Sequence, residues 1–461
     1  MQSTTRKKLV DSWRMTDHAV HDTDELFEWI KTLNNNTFVQ ITRCSLDDCN
    51  GWYLDPKDHY IKHKSGGFFS IASLIRKAKD NDLGSQPIIL QNEIGFLGII
   101  AKEIKGTVHF LMQGKIEPGN INRIQLSPTI QATRSNFMQL HKGSRPLYME
   151  YFLNASQYEI VVDQIQSEQS SRFYKKRNRN ILILIDCDIE VSPNHRWMTL
   201  GQIKEFLKHD NIVNMDTRTV ISCIPFSDQF GGEIQELVPC FRDPAMFRSV
   251  FSDKPLDRLL FHAMNNAKMF DTTDTIIGGM DRLEEWNFTE SGISCKTPSN
   301  FEVIFCNIEI EGREIRKWSQ PLFMANGDAL FGLFTTRIDG VIHFMVRLHP
   351  EPGCFDVVEL GPTVQLECCD IQEKSDDPVV ELFKLKLSNN DGVLYDVMLS
   401  EEGGRFYHEQ NRNTIISIDM DELPLFPPDC FWQDFGQLNR MIQFNNVANI
   451  QLRNLLAIME I

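Results

Sequence analysis

The sequence predicts an α+β fold: a tandem duplication of one module built on an antiparallel or mixed sheet, with helices between and after the sheets. Three features carry this. Distant segments match at one offset, the matched segments alternate apolar and polar residues, and the stretch between them spaces its apolar residues by three and four. At 461 residues the chain also exceeds the size of a single hydrophobic core, which sets an expectation of about two to three domains.

The repeat comes first in the argument. Ser85-Gln-Pro87 recurs as Ser319-Gln-Pro321, Gly98 as Gly332, His109-Phe110 as His343-Phe344, and Glu117-Pro-Gly119 as Glu351-Pro-Gly353. Pro128-Thr129 with Gln131 recurs as Pro362-Thr363 with Gln365. After a one-residue slip, Arg172-Phe-Tyr174 lies on Arg405-Phe-Tyr407 and Asn178-Arg-Asn180 on Asn411-Arg-Asn413. The period is too long for a solenoid, so the reading is one module over residues 1–225 and a second over 226–461.

Within the modules, Thr107-Val-His-Phe-Leu-Met-Gln113 and Val341-Ile-His-Phe-Met-Val-Arg347 read as strands. Lys105-Gly106 and Asp339-Gly340 are placed for tight hairpin turns, and Pro118-Gly119 and Pro352-Gly353 suit turns with Pro before Gly. Ile181-Leu-Ile-Leu-Ile185 reads as a buried strand and is far too short for a membrane span. Leu200, Ile203, Phe206 and Leu207, then Phe247, Val250 and Phe251, then Leu256, Leu259 and Leu260 have helical spacing. The spacing predicts a helical connection over about 199–285, with 431–461 as the corresponding helical tail.

Composition excludes several functions. With 47 basic and 63 acidic residues the net charge is −16, a field that repels nucleic acid and anionic membrane surfaces. A small phosphorylated ligand held by local arginines stays compatible with it. The N-terminal run lacks the apolar core of a secretion signal, and eleven cysteines without a C-x-x-C pair read as free thiols, so a cytoplasmic location is expected. There is no G-x-G-x-x-G after a strand, no P-loop, no H-E-x-x-H and no G-x-S-x-G.

For the rest, residues shared by both copies are explained first by folding, and those that differ point to function. His109/His343 then read as satisfied sheet histidines, Glu117/Glu351 as turn residues, and the pairs Asp186/Asp188 and Asp419/Asp421 as strand-end aspartates rather than a metal site. The copies diverge after P-T-x-Q: Ala132-Thr-Arg-Ser-Asn136 stands opposite Leu366-Glu-Cys-Cys-Asp370. Thr133, Arg134, Ser135 and Asn136 offer a guanidinium fork and short polar donors to an anion; a loop capping its own backbone is the bland alternative. They diverge again where Glu401-Glu-Gly-Gly-Arg-Phe-Tyr-His408 replaces Glu168-Gln-Ser-Ser-Arg-Phe-Tyr-Lys175. Gly403 and Gly404 permit close backbone approach to a ligand, while Arg405, His408 and Arg412 bring charge and proton transfer; the alternative is a glycine turn before a strand. Trp52 and His63, in an aromatic segment ending at Phe69, offer a stacking face, although aromatics are more often core.

The runs Gln131-Ala-Thr-Arg-Ser-Asn136, His109-Phe-Leu-Met-Gln113, Glu117-Pro-Gly-Asn-Ile-Asn122, Leu126-Ser-Pro-Thr129 and Leu399-Ser-Glu-Glu-Gly-Gly-Arg-Phe-Tyr-His-Glu-Gln-Asn-Arg-Asn413 resemble the NDP-hexose 2,3-dehydratases of deoxysugar biosynthesis. The resemblance covers nearly the whole chain. It implies two Nudix-like modules per subunit, a homodimer, and a nucleotide-linked 4-keto-6-deoxyhexose substrate, with thymidine the family's usual base. The metal-binding Nudix box is absent from the sequence. The implied reaction removes the C3 proton, acidified by the C4 ketone, and the C2 hydroxyl; the enol formed tautomerises to a 3,4-diketo-2,6-dideoxysugar. No cofactor is implied, because the ketone is already in place, and a 3-ketoreductase is expected to consume the reactive product.

The substrate-binding residues so implied are Ala132, Thr133, Arg134, Ser135, Asn136, Glu401, Gly403, Gly404, Arg405, Phe406 and Arg412, with Trp52 and His63. His408, Glu402 and Tyr407 are the candidate catalytic residues, and the sequence leaves open which reaches C3. A Nudix-type pyrophosphatase and a non-catalytic nucleotide-sugar binder are the rival readings.

Overall fold

The computed structural model describes residues 3–17, 19–79, 81–133, 146–227, 234–312, 315–423 and 427–461. Its four sheets come in two pairs. The first mixed sheet runs Glu159–Ser167, Arg177–Ile185, Gly95–Ile104, Thr107–Ile116, His195–Met198, with Ile124–Ser127 and Ile130–Ala132 added along the central strands. The second repeats it strand for strand: Val393–Ser400, Gln410–Ser417, Ala329–Ile338, Val341–His349, Cys430–Asp434, with Glu359–Gly361 and Val364–Leu366. Each contains one parallel pairing, Arg177–Ile185 on Gly95–Ile104 and Gln410–Ser417 on Ala329–Ile338. The central hairpins turn at Lys105-Gly106 and Asp339-Gly340, with φ of 51° and 85° in one and 51° and 74° in the other, which suits a right-twisted two-residue turn.

Each half also contributes a second, largely antiparallel sheet, the later one with Phe406–Tyr407 added in parallel to Lys317–Ala325, and these sheets exchange a strand. Val39–Cys44 from the first half pairs with Phe301–Ile310 of the second, Val39 opposite Ile310 and Cys44 opposite Phe305. Thr273–Gly278, its repeat counterpart, pairs with Ser70–Ala78 of the first half, Thr273 opposite Ala78 and Gly278 opposite Ser73. The sequence boundary near residue 225 is thus crossed by strands in both directions. One continuous hydrophobic cluster contains Leu9, Phe110, Leu182, Phe331, Phe344, Leu452 and Ile458 and so draws on both halves.

A second reciprocal contact explains the shared motifs. The Gly119 N–H donates to Gly403 O (2.7 Å) and the His408 N–H to Gly119 O (2.8 Å); likewise Gly353 N–H donates to Ser170 O (2.7 Å) and Lys175 N–H to Gly353 O (2.8 Å). A Cβ on Gly119 would lie 1.5 Å from Phe406 O, and one on Gly353 1.9 Å from Phe173 O, so each E-P-G turn requires glycine to dock on the other half's R-F-Y loop. His109 and His343 are sheet histidines, each with Nδ1 against a backbone carbonyl two residues back at 3.0 Å.

The helical expectation is only partly met. Helices Leu200–Phe206, Met215–Ser222, Pro244–Val250 and Arg258–Phe270 fall within 199–285, but Thr273–Gly278 is a strand. Its β-branched residues find an open sheet edge on Ser70–Ala78, and that tertiary partner overrides the helical context. The tail begins with the strand Cys430–Asp434 before the helices Phe435–Ile442 and Ile450–Ala457, for the same reason: Val341–His349 offers it an edge. Two N-terminal helices, Ser3–Arg14 and Thr23–Asn36, precede the first sheet. Among the described residues no helix is long and apolar enough to cross a membrane.

Candidate active site

Docking the second half's loop onto the first half's sheet leaves a cleft of two connected chambers. The outer, about 650 Å³, is lined by Phe68, Phe69, Lys115, Gln131, Thr133, His195, Trp318 and Arg405 among others, a size that suits a small-molecule ligand. The inner, about 160 Å³, is lined by Gln91, Lys115, Glu117, Ala132, Thr133, Glu168, Lys176, Asp216, Glu402, Gly404 and Arg405. Gln91, Lys115, Glu117, Gln131, Thr133, Gly404 and Arg405 border both.

The cations are held differently. Lys115, on Thr107–Ile116, pairs with Glu117 Oε1 (2.6 Å) and donates to Gln131 Oε1 (2.6 Å), which fixes its ammonium at the junction of the chambers. Lys176 donates to Glu93 O (2.6 Å), and burial draws its pKa down, opposed by Glu168. Arg405 stacks on Phe69 (4.3 Å), and donates to Gly404 O (2.8 Å) and Gln91 Oε1 (3.2 Å), while its buried Nε has no hydrogen-bond partner among the described residues. Neither hydrogen-bond acceptor is a carboxylate, and the Glu402 carboxyl is its acidic neighbour.

The pseudo-equivalent arginine shows what has been removed. Arg172, fully buried, stacks on Phe301 (4.2 Å) and forms an ion pair with Glu367 (2.9 Å). The residue matching Glu367 in the first half is Thr133. The second half's sheet thus meets the first half's Arg172 with a carboxylate, whereas the first half's sheet meets the second half's Arg405 with Thr133, and Arg405 lines the cleft.

The anionic side of the inner chamber is crowded. Glu402 accepts from the Gly404 N–H (2.9 Å), and burial raises its pKa, with Glu117 adding to the rise and Arg405 opposing it. Glu168 is raised by burial and then by Glu402, and it accepts from the Asn178 amide. Asp216, in the first turn of Met215–Ser222, is raised well above the usual carboxylate range by burial and then by Glu168 and Glu402. The site can therefore hold carboxyl groups in both protonation states near neutral pH. His195 reaches the outer chamber with both ring nitrogens engaged, by Ser192 Oγ (2.8 Å) and Thr129 O (3.1 Å), and burial lowers its pKa to about 4. Among the described residues no group of three or more His, Cys, Asp or Glu side chains is arranged to hold a metal.

The cleft is thus shared by the two halves of a duplicated chain, with one arginine lining it and its twin paired with a carboxylate. The model of the NDP-hexose 2,3-dehydratase family matches residues 23–224 and again 259–459. The chain belongs to this family. A relative from Saccharopolyspora spinosa, named as a dTDP-4-dehydro-6-deoxy-alpha-D-glucopyranose 2,3-dehydratase, is 36% identical over 99% of this chain and 95% of its own. Proteins of the same name from Streptomyces violaceoruber and Amycolatopsis orientalis are 36% and 32% identical, over 95% and 96% of this chain and 97% and 91% of theirs.

Of the residues this dehydratase-family sequence singles out, Ala132, Thr133, Glu402, Gly404 and Arg405 line the cleft. Arg134, Ser135 and Asn136 lie outside the described residues. The others stand elsewhere. Trp52 is buried behind Phe69 (4.9 Å), its indole N–H donating to Ser319 O (2.7 Å), and His63 packs edge-on against Trp52 and Phe68. Glu401 is buried beneath the loop and accepts from Asn411 (2.7 Å); Gly403 faces Asn120, and Phe406 packs on Phe173 (5.7 Å). Tyr407 and His408 stack on each other (4.1 Å) away from both chambers, and His408 has φ 53°, as Lys175 has φ 52°, because both residues turn their N–H to the opposing E-P-G turn. Arg412 is bound bidentately by Asp396 (2.7 and 2.6 Å) on the surface, and Asp188 pairs with Lys102 (2.5 Å).

Glu117, read from the sequence as a turn residue, stands in the turn and also borders both chambers, while Lys115, Glu168, Lys176 and Asp216 are cleft residues that sequence reasoning missed. A signal was present: Lys115 stands opposite His349, Lys176 opposite Glu409 and Asp216 opposite Gln451, all charge changes between the copies.

Proposed function

We propose that the protein converts dTDP-4-keto-6-deoxyglucose to the dTDP-3,4-diketo-2,6-dideoxysugar, with the diphosphate held by Arg405 and the hexose seated in the inner chamber. The observation carrying this reading is Arg405 at the entrance to a carboxyl-lined chamber, where Thr133 stands in place of the glutamate that pairs with Arg172 across the other contact between the halves. Phe68, Phe69 and Trp318 supply aromatic surface for the base in the outer chamber.

The chemistry follows from the groups present. Glu402, made more basic by burial, takes the C3 proton; the Lys115 ammonium steadies the negative charge that develops on the C4 oxygen. Expulsion of the C2 hydroxyl as water restores the C4 ketone and leaves a 2,3-enol. Protonation at C2 with loss of the C3 hydroxyl proton completes the diketone. We also read each half as a Nudix-like module, the active species as a cytoplasmic homodimer, and a 3-ketoreductase as the consumer of the product. These readings rest on the family resemblance, and strongly exposed Leu259, Met269 and Phe270, at 72%, 76% and 68%, offer apolar surface for a second copy to cover.

The test is incubation with dTDP-4-keto-6-deoxyglucose, with and without EDTA and with a coupled 3-ketoreductase. Turnover that survives chelation is expected. Release of dTMP that depends on Mg²⁺ would establish the pyrophosphatase instead, and binding without turnover would establish a non-catalytic binder.

A further inference from the structure

The departing C2 hydroxyl needs a proton, and the inner chamber contains a carboxyl group that no hydrogen bond among the described residues engages. Asp216 is 1% exposed, lines the chamber, and has no hydrogen-bond partner for either carboxyl oxygen among the described residues. Its charged neighbours are Glu168, Glu402, Glu117 and Lys115. Burial beside three other acids favours the neutral form, whose O–H meets no acceptor among the described residues. The other half differs at this point. Gln451, its counterpart, donates its amide to Glu351 Oε1 (3.2 Å) and has no proton to transfer. Glu168 is a poorer candidate, since it already accepts from Asn178 and Glu401 repeats it in the other half.

Building on the dehydratase reading, we propose that Asp216 is the catalytic acid that protonates the C2 hydroxyl as it leaves. In this step the Asp216 O–H and the C2–O bonds break, water forms, and Asp216 becomes a carboxylate while Glu402 holds the C3 proton. The enol then takes a proton at C2 from Glu402 and gives its C3 hydroxyl proton to Asp216. Both carboxyl groups return to their starting states, and no proton is gained or lost overall.

The test separates proton abstraction from hydroxyl departure. Asp216→Asn, nearly isosteric, should lower turnover of dTDP-4-keto-6-deoxyglucose by about 10²- to 10⁴-fold, while the substrate still exchanges its C3 hydrogen in heavy water. The 2-deoxy-2-fluoro analogue loses fluoride, which needs no proton, so the variant should release fluoride at close to the wild-type rate. Asp216→Gln, which copies Gln451, should behave alike, and calorimetric titration with dTDP reports whether each variant is folded. Fluoride release lost in step with turnover, or turnover retained, would overturn the assignment. A wild-type protein that neither dehydrates the sugar nor releases fluoride would instead remove the dehydratase reading, and this proposal with it.

Discussion

Thr133→Glu transplants into the first half the glutamate with which the second half silences Arg172 of the first. Arg172 and Glu367 meet at 2.9 Å with the arginine side chain only 3% exposed, so a glutamate at 133 has a template for capturing Arg405. Capture removes a charge-assisted contact to the diphosphate worth about 1.5–3 kcal/mol, which at about 1.4 kcal/mol per decade is a loss of about 10- to 100-fold in affinity. The added carboxylate also opposes the incoming anion, so the loss should lie toward the upper end. Stability should be maintained, because the variant gains an ion pair. Calorimetric titration with dTDP, with a melting curve on the same sample, reads both quantities. Unchanged affinity in a folded variant would refute the placement of the diphosphate at Arg405.

Other expected outcomes follow from the same geometry. Glu402→Gln should lower kcat by about 10²- to 10⁴-fold with dTDP affinity retained, read by steady-state kinetics and calorimetry; an equal loss of affinity and rate would argue against a general base. A Cβ at Gly404 would lie 2.3 Å from Glu402 Oε1, so Gly404→Ala should displace that carboxylate and reduce kcat without unfolding the chain, which circular dichroism checks. His408→Ala and Lys175→Ala should both leave kcat nearly unchanged, since both side chains stand away from the cleft; a selective collapse in His408→Ala would restore that histidine to the chemistry. Burial raises the pKa of Glu351 to about 8 and of Glu359 and Glu409 to about 7. Unfolded, these groups ionise near 4.5, so between that value and about 8 the unfolded state binds fewer protons and stability falls as pH rises. The melting temperature should decline across that window, and a steady rise would contradict the assignment of these groups as buried neutral acids.

The sequence exposed the duplication, the central hairpins and the asymmetric loops because each is a local pattern: identical words in order, glycines at turns, substitutions at matched positions. Strand exchange left no such trace. Val39–Cys44 and Thr273–Gly278 are matched by the repeat, but which sheet each joins depends on edges formed by residues remote in the chain. The same applies to the site. Arg405 and Thr133 were both singled out, yet their relation through the Arg172–Glu367 pair exists only once one half's loop lies on the other half's sheet. Lys115 and Asp216 carry no motif of their own, because burial, not spacing, makes them chemical.

The crossed docking of the E-P-G turns sets the terms on which this chain can evolve. Arg405 and Glu402 belong to the half whose own arginine site is occupied by Glu367, yet they serve a cleft floored by the other half. Selection on the working cleft therefore acts on both copies, and the silenced half can neither be discarded nor drift freely. A chain cut near residue 225 would lose both the guanidinium and the strand Thr273–Gly278, leaving Ser70–Ala78 with a bare edge open to aggregation. Redesign for a new sugar would accordingly need paired changes, one on the sheet of the first copy and one on the loop of the second.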